Sequence, residues 1–299
     1  MFATIPPPAI DRLTVGPLTV HVYGMLVASA AILGTSLARR RYAAIGGNAE
    51  LIDRVALWTI ASGVVGARVS YVIPRSGQFV HDPLRVFAVW EGGLAYFGGL
   101  SAAVVVGIYL VRRAHVNAWA FADAVFPGIP LGQALGRLGN YFNQELFGTP
   151  TKLPWALKVD PQHRVAPYLN SATFHPTFLY ESLFNVTLGL LMFRLAHKHK
   201  LRRGSLVFVY LAGYGFARFL LELIRTDTTF RLLGISRNGY ASLVACAVGV
   251  AGMWWRQRAD TVATDEPLEP DTATSDTATP NTAHTPSAQT DSGQTPSGP

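Results

Sequence analysis

Apolar residues along this chain come in long blocks rather than in alternation. The blocks lie near Leu18–Leu37, Val55–Ile73, Leu94–Val111, Ala118–Leu135, Pro176–Leu195, Ser205–Ile224 and Gly239–Trp255. The hydrocarbon core of a bilayer is about 30 Å thick and a helix rises about 1.5 Å per residue, so apolar runs of about 17 to 25 residues predict spanning helices. The pattern predicts an all-α, polytopic membrane protein of about seven transmembrane helices with a small external loop region. The fourth block carries Pro127 and Pro130. A break is expected there, which a membrane tolerates where backbone is buried in protein or lines a cavity. No internal repeat is evident, which argues against a transporter built from inverted halves.

Composition agrees with a bilayer as solvent. Only 14% of the 299 residues are charged against 49% hydrophobic, whereas soluble domains run near a quarter charged. Beyond about residue 258 the chain changes to Thr, Ala, Pro, Ser and Asp without Lys, Arg or an aromatic residue, and cannot bury enough apolar surface to fold. The expected organisation is a membrane domain over 1–258 and a disordered tail over 259–299. Seven acidic residues fall in that tail, so the formal charge of +7 becomes +14 without it. A basic membrane domain suits anionic lipid, not nucleic acid.

The single cysteine, Cys246, lies in an apolar block, so no intrachain disulfide is possible and a small packing residue is expected. Residues Met1–Pro17 lack a basic region followed by an apolar one, so no cleaved signal is expected. Basic clusters abut alternate helix ends: Arg39–Arg41, Arg112 with Arg113, Lys198–Arg203, and Arg256 with Arg258. The positive-inside rule makes that side cytoplasmic, which places the N-terminus outside and the tail inside. Arg68, Arg75, Arg85, Arg137, Arg218, Arg225, Arg231 and Arg237 then fall on the outer half. Lipid phosphate is an economical explanation for arginines kept there, although Arg75, Arg85 and Arg231 fit interfacial snorkelling better.

One segment concentrates polar chemistry. From Gly136 to Gly148 a guanidinium (Arg137), the amides Asn140, Asn143 and Gln144, and a carboxylate (Glu145) are set among three glycines. Glycine lets backbone turn sharply or approach a ligand closely, and Arg binds phosphate through a planar fork. Composition alone points to a phospho-headgroup site.

The same stretch resembles the signature G-R-x-G-N-[FY]-x-N-x-E-x-x-G of the bacterial prolipoprotein diacylglyceryl transferase family, matched at all eight specified places. The resemblance extends to Gly16-Pro17 with Tyr23-Gly24, Trp90-Glu91-Gly92-Gly93-Leu94, His175-Pro176-Thr177 with Leu179-Tyr180-Glu181, and Tyr214-Gly215 with Arg218-Phe219 and Glu222. It implies transfer of the diacylglyceryl group of phosphatidylglycerol to the lipobox cysteine of a prolipoprotein. A thioether forms and glycerol phosphate leaves, on the outer face of the bacterial cytoplasmic membrane. Prolipoprotein signal peptides and phosphatidylglycerol are the implied partners, with no cofactor and no metal.

The resemblance also implies roles. Arg137 and Arg218 would grip the phosphodiester, and Asn140 and Asn143 would donate to phosphate or glycerol oxygens. Tyr23 and Tyr214 would line the site with Gly148, while Glu145 would orient Arg137 or take a proton. Many relatives carry a histidine where this chain has Phe97, so a base is expected elsewhere: His175, Glu145, or none, since a thiol of pKa about 8.5 needs little help beside arginines. Two alternatives are a catalytically inactive relative that binds anionic phospholipid and a lipid transporter.

Overall fold

The computed structural model describes residues 4–16, 18–197, 201–226 and 231–258. Lys198, Lys200 and the tail expected to be disordered lie outside the described residues. Strands β1 (Arg12–Val15) and β2 (Leu18–His21) pair antiparallel with Arg12 opposite His21. Gly16 makes the reversal at a φ of +60°, where a side chain would be strained. This corrects the expected start of the first span: Leu18–His21 is strand, in keeping with β-branched Thr19 and Val20, and helix α1 begins at Val22 and runs to Ala44.

Helix α2 (Ala49–Val72) starts at Asn48, whose side chain accepts from the Glu50 N–H at 2.8 Å. Short 3₁₀ turns over 73–91 lead to α3 (Tyr96–Arg113). Then come α4 (Ala118–Val125) and α5 (Gly128–Phe142), which together fill the fourth apolar block. The following loop carries β3 (Leu157–Lys158) paired with β4 (Thr173–Phe174). It is followed by α6 (Thr177–His197), α7 (Ser205–Ile224), the hairpin β5 (Arg231–Leu232) and β6 (Ile235–Ser236), and α8 (Arg237–Arg258). Each predicted block therefore coincides with a helix or, for the fourth, a helix pair.

Proline chemistry explains the break in that pair. Pro127 has no N–H to give the carbonyl four residues back, which is Asp123. Arg41 from α1 fills the vacancy, its Nη2 donating to the Asp123 carbonyl at 3.0 Å. The Asp123 side chain faces the start of α7, accepting from the Gly204 N–H at 2.5 Å and the Leu206 N–H at 3.1 Å. The broken helix thereby ties α1 and α7 together at one end of the bundle.

Five helical segments among the described residues are long and apolar enough to cross a membrane: α1, α2 with its following turn, α3, α6 and α7. Helix α8 has comparable length, 22 residues. Large apolar side chains such as Leu57, Ile60, Val65, Val105, Val244 and Val250 point outward, a surface suited to lipid. The chain is a helical membrane protein. Its helices approach closely through small residues: a Cβ on Gly66 would lie 2.7 Å from the Gly98 carbonyl oxygen, and one on Gly215 would lie 2.7 Å from the backbone N of Cys246. Cys246 is half-buried there, at the crossing of α7 and α8.

Arg68 departs from the expectation that outer arginines await phosphate. It is buried and spends its guanidinium on backbone carbonyls, with Nε to Val86 at 2.8 Å, Nη1 to Gly92 at 2.6 Å and Nη2 to Arg85 at 2.5 Å. These carbonyls have no regular ladder to join, so Arg68 serves as the local donor that pins the 3₁₀ turns.

Candidate active site

Arg137 emerges near the C-terminal end of α5. Its Nε lies 2.9 Å from Oε1 of Glu181 on α6, and that carboxylate also accepts from the Tyr214 hydroxyl of α7 at 3.2 Å. Three helices thus meet at one guanidinium. Glu181 is only 2% exposed. A carboxylate so buried needs a partner, and Arg137 with Tyr214 supplies both charge and hydrogen bond.

Arg218 lies one turn beyond Tyr214 on α7. Its Nη1 sits 2.8 Å from Oε2 of Glu222, and Oε1 of Glu222 accepts from the Ser236 hydroxyl at 2.7 Å. Ser236 in turn accepts from the Gly239 N–H at 2.9 Å, which fixes the start of α8. Residues four apart share a helix face, so Tyr214 and Arg218 point the same way. Below them Tyr210 stacks on Tyr214 with ring centres 5.5 Å apart, and its hydroxyl accepts from Gln133 at 2.8 Å.

The signature amides do not point away from the protein. Nδ2 of Asn140 donates to Oε1 of Glu145 at 2.8 Å, and Nδ2 of Asn143 donates to the same oxygen at 3.1 Å. Glu145 thus meets the asparagines directly, while the direct ionic partner of Arg137 is Glu181. Oδ1 of Asn140, its acceptor end, lies 3.5 Å from Nη1 of Arg137, so the amide bridges the two ionic groups.

Two signature glycines answer to packing. The Tyr23 ring of α1 lies against Gly139, where an added Cβ would come within 2.6 Å of it. A Cβ on Gly148 would stand 2.9 Å from both the His175 Cβ and the Ile224 carbonyl oxygen. That crowding reflects a three-way junction: the Gly148 N–H donates to the His175 carbonyl at 2.9 Å, the Thr149 N–H to Ile224 at 2.7 Å, and Thr177 to the Leu146 carbonyl. Gly136 differs, since nothing lies within 4 Å of its Cβ position.

His175 stands at the edge of this junction. Its Nδ1 is 3.2 Å from the Tyr180 hydroxyl, which accepts from the Trp155 indole at 2.9 Å. Partial burial moves its pKa below the ordinary imidazole value, so it is neutral near pH 7. Phe97 is largely exposed and packs edge-on against Tyr96.

Glu181 and Glu222 stand in the family-like motifs without a role that the sequence assigns, and nothing in the sequence marks Ser236, Tyr210 or Gln133. A carboxylate inside an apolar block is itself a signal, because it is retained there only with a partner. The hydroxyl and amide carry no comparable signal.

The arrangement offers two guanidinium groups in neutralised, buried surroundings, with several N–H donors beyond those used by the carboxylates. Such a pair can hold an anionic phosphodiester and strengthen its grip as charge develops. Beside it, on the wall that carries Glu145, opens a polar cleft of about 600 Å³.

Residues 11–255 match the family model described as prolipoprotein diacylglyceryl transferase. Among similar proteins are the phosphatidylglycerol–prolipoprotein diacylglyceryl transferases of Frankia alni, 34% identical over 91% of this chain and 71% of the relative, and of Synechococcus elongatus, 40% identical over 83% and 87%. The second such transferase of Streptomyces coelicolor is 38% identical over 83% of this chain and 80% of its own.

Proposed function

The chain belongs to the prolipoprotein diacylglyceryl transferase family, and on that premise we propose that Arg137 and Arg218 are its phosphate grip. Its activity is the transfer of the diacylglyceryl group of phosphatidylglycerol to the lipobox cysteine of a prolipoprotein, the first step of lipoprotein maturation. The observation that carries the assignment of residues is the chain Arg137–Glu181–Tyr214, which brings α5 and α6 to the face of α7 that bears Arg218.

The step is a displacement at carbon. The cysteine sulfur attacks the glycerol carbon that bears the phosphate, a C–S bond forms, and the C–O bond breaks with its electron pair going to the phosphate oxygen. The thiol proton passes to solvent or to a nearby base. Glycerol phosphate leaves with one more negative charge than the diester carried. Arg137 and Arg218 stabilise that added charge, Glu181 and Glu222 keep the two guanidinium groups placed before substrate arrives, and the Asn140–Glu145–Asn143 cluster braces the loop beside them. The carboxylates also prevent two unpaired cations from facing each other in the absence of lipid. Phe97 takes no proton; His175, neutral near pH 7, is available as a base.

The site lies on the outer face of the bacterial cytoplasmic membrane, with the N-terminus outside and Arg258 inside. Support comes from the basic clusters flush with the opposite helix ends. The transferase domain spans 1–258, and the tail is a cytoplasmic extension. A labelled phosphatidylglycerol supplied to the purified protein with a lipobox peptide tests the reading. Label on the peptide cysteine is expected; lipid bound or moved without transfer would contradict it.

A further inference from the structure

We propose that the polar cleft beside Glu145 receives the stretch of substrate polypeptide that follows the modified cysteine, an inference that rests on the transferase reading above. The cleft, about 600 Å³, lies between the N-terminal segment, the end of the signature and the loop at 160–163, with Asp11, Arg12, Asn143, Glu145, Asp160 and His163 on its walls.

Its walls are built rather than incidental. The N-terminal segment is stitched to the loop that carries β3 by Ile5, whose N–H donates to the Ala156 carbonyl and whose carbonyl accepts from the Lys158 N–H, both at 2.9 Å. The Tyr141 hydroxyl donates to the Pro6 carbonyl at 3.0 Å. The loop is locked to the signature by two bonds: Gln144 Nε2 to Asp160 Oδ2 at 2.7 Å, and the Asp160 N–H to Gln144 Oε1 at 2.9 Å. Gln144 adopts a positive φ of 49° to make them.

Charge decides what the cleft can hold. Arg12 is neutralised by Asp11 at 2.8 Å. Glu145 and Asp160 bond to neutral amides, so the lining is acidic overall. Such a lining repels glycerol phosphate and the headgroups of anionic lipid, and it attracts the N–H groups and cationic side chains of a peptide. Position agrees. An apolar signal segment stays in the bilayer while the polar continuation leaves by the outer face, and three extended residues reach about 10 Å. The residues just after the cysteine therefore pass the Glu145 wall, which the Asn140 amide alone separates from Arg137.

The test uses the full chain in phosphatidylglycerol liposomes with lipobox peptides that end at the cysteine or continue for six residues, carrying Lys or Glu after it. The extended Lys peptide should show kcat/KM roughly tenfold above the truncated one and severalfold above the Glu peptide, through KM for peptide and not for lipid. Asp11→Lys should erase the preference for Lys, and Gln162→Lys, on the exposed rim, should do the same if the first variant folds poorly. Equal kcat/KM for truncated and extended peptides, with transfer still measured, would overturn this inference and leave the transferase reading standing. A change confined to the KM for lipid would also overturn it, by making the cleft a headgroup site. Transfer to no peptide at all would instead remove the reading beneath it.

Discussion

Glu181 on α6 meets Arg137 on α5 at 2.9 Å, and the same carboxylate oxygen takes the Tyr214 hydroxyl of α7. A glutamine at 181 keeps the shape and loses the charge, so Arg137 would face the site without its counter-ion. Glu181→Gln is expected to slow transfer by at least about tenfold, the equivalent of roughly 1.4 kcal/mol in the barrier, and to lower thermal stability in detergent. A rate equal to wild type would mean that Arg137 is not positioned by Glu181.

Ser236 tests the second ionic pair from a residue that substrate does not touch. It donates to buried Glu222 and accepts from the Gly239 N–H, so Ser236→Ala leaves a carboxylate short of a donor and a helix start short of an acceptor. The expected cost is about 1 to 3 kcal/mol. Denaturation midpoints of the two proteins in the same micelle measure it, and an unshifted midpoint would deny the hydrogen bond its role.

Two glycines of one signature should behave differently. Gly148→Ala drives a methyl group into the Ile224 carbonyl and the His175 Cβ, neither of which is the loose end of a flexible side chain. Overpacking of this kind costs about 1 to 3 kcal/mol, so loss of stability and loss of transfer are expected together. Gly136→Ala meets open space within α5, where alanine suits a helix better than glycine by about 1 kcal/mol. Stability should hold or rise. A fall in transfer at Gly136 alone would then report substrate approaching that face, and a fall in stability there would contradict the packing described.

Much of this molecule was legible from its apolar blocks and one dense motif. The Ser205–Ile224 block coincides with α7 at both ends, because an apolar span bounded by Gly204 and Arg225 leaves little choice. The start of α1 was not legible: Leu18–His21 is as apolar as a helix would be, and only its pairing with Arg12–Val15 makes it a strand. The helix break was expected from Pro127, but Arg41, 82 residues from the carbonyl it satisfies, could not be foreseen. In the site, Arg137 and Arg218 were legible as cations out of place. Which carboxylate each would meet was not, since Glu145 is nearer to Arg137 in sequence and Glu181 is nearer in space. Arg68 resembled Arg137 as a cation among apolar residues and turned out to hold backbone carbonyls, a difference set by the loop that folds over it.

Orientation has its own test. A reporter fused after Arg258 should show a cytoplasmic location, and one inserted between Thr149 and Phe174 an external one. Reversal at both places would put Arg137, Arg218 and the polar cleft on the wrong side for a secreted substrate.

The central claim, that Arg137 and Arg218 bind the phosphate and stabilise it as it leaves, is tested most directly by single-turnover transfer from labelled phosphatidylglycerol to a lipobox peptide. Charge-assisted hydrogen bonds are worth roughly 1.5 to 3 kcal/mol, so Arg137→Lys, which keeps the charge but loses the fork, should slow transfer by about ten- to over a hundredfold. Alanine at 137 or 218 should cost at least as much, and the double variant less than the product of the two. Arg75→Ala removes an exposed cation that stacks on Tyr71, and its rate should stay within about twofold of wild type. Near-wild-type transfer by well-folded Arg137→Ala and Arg218→Ala proteins would contradict the account, because the phosphate would then be held by other residues.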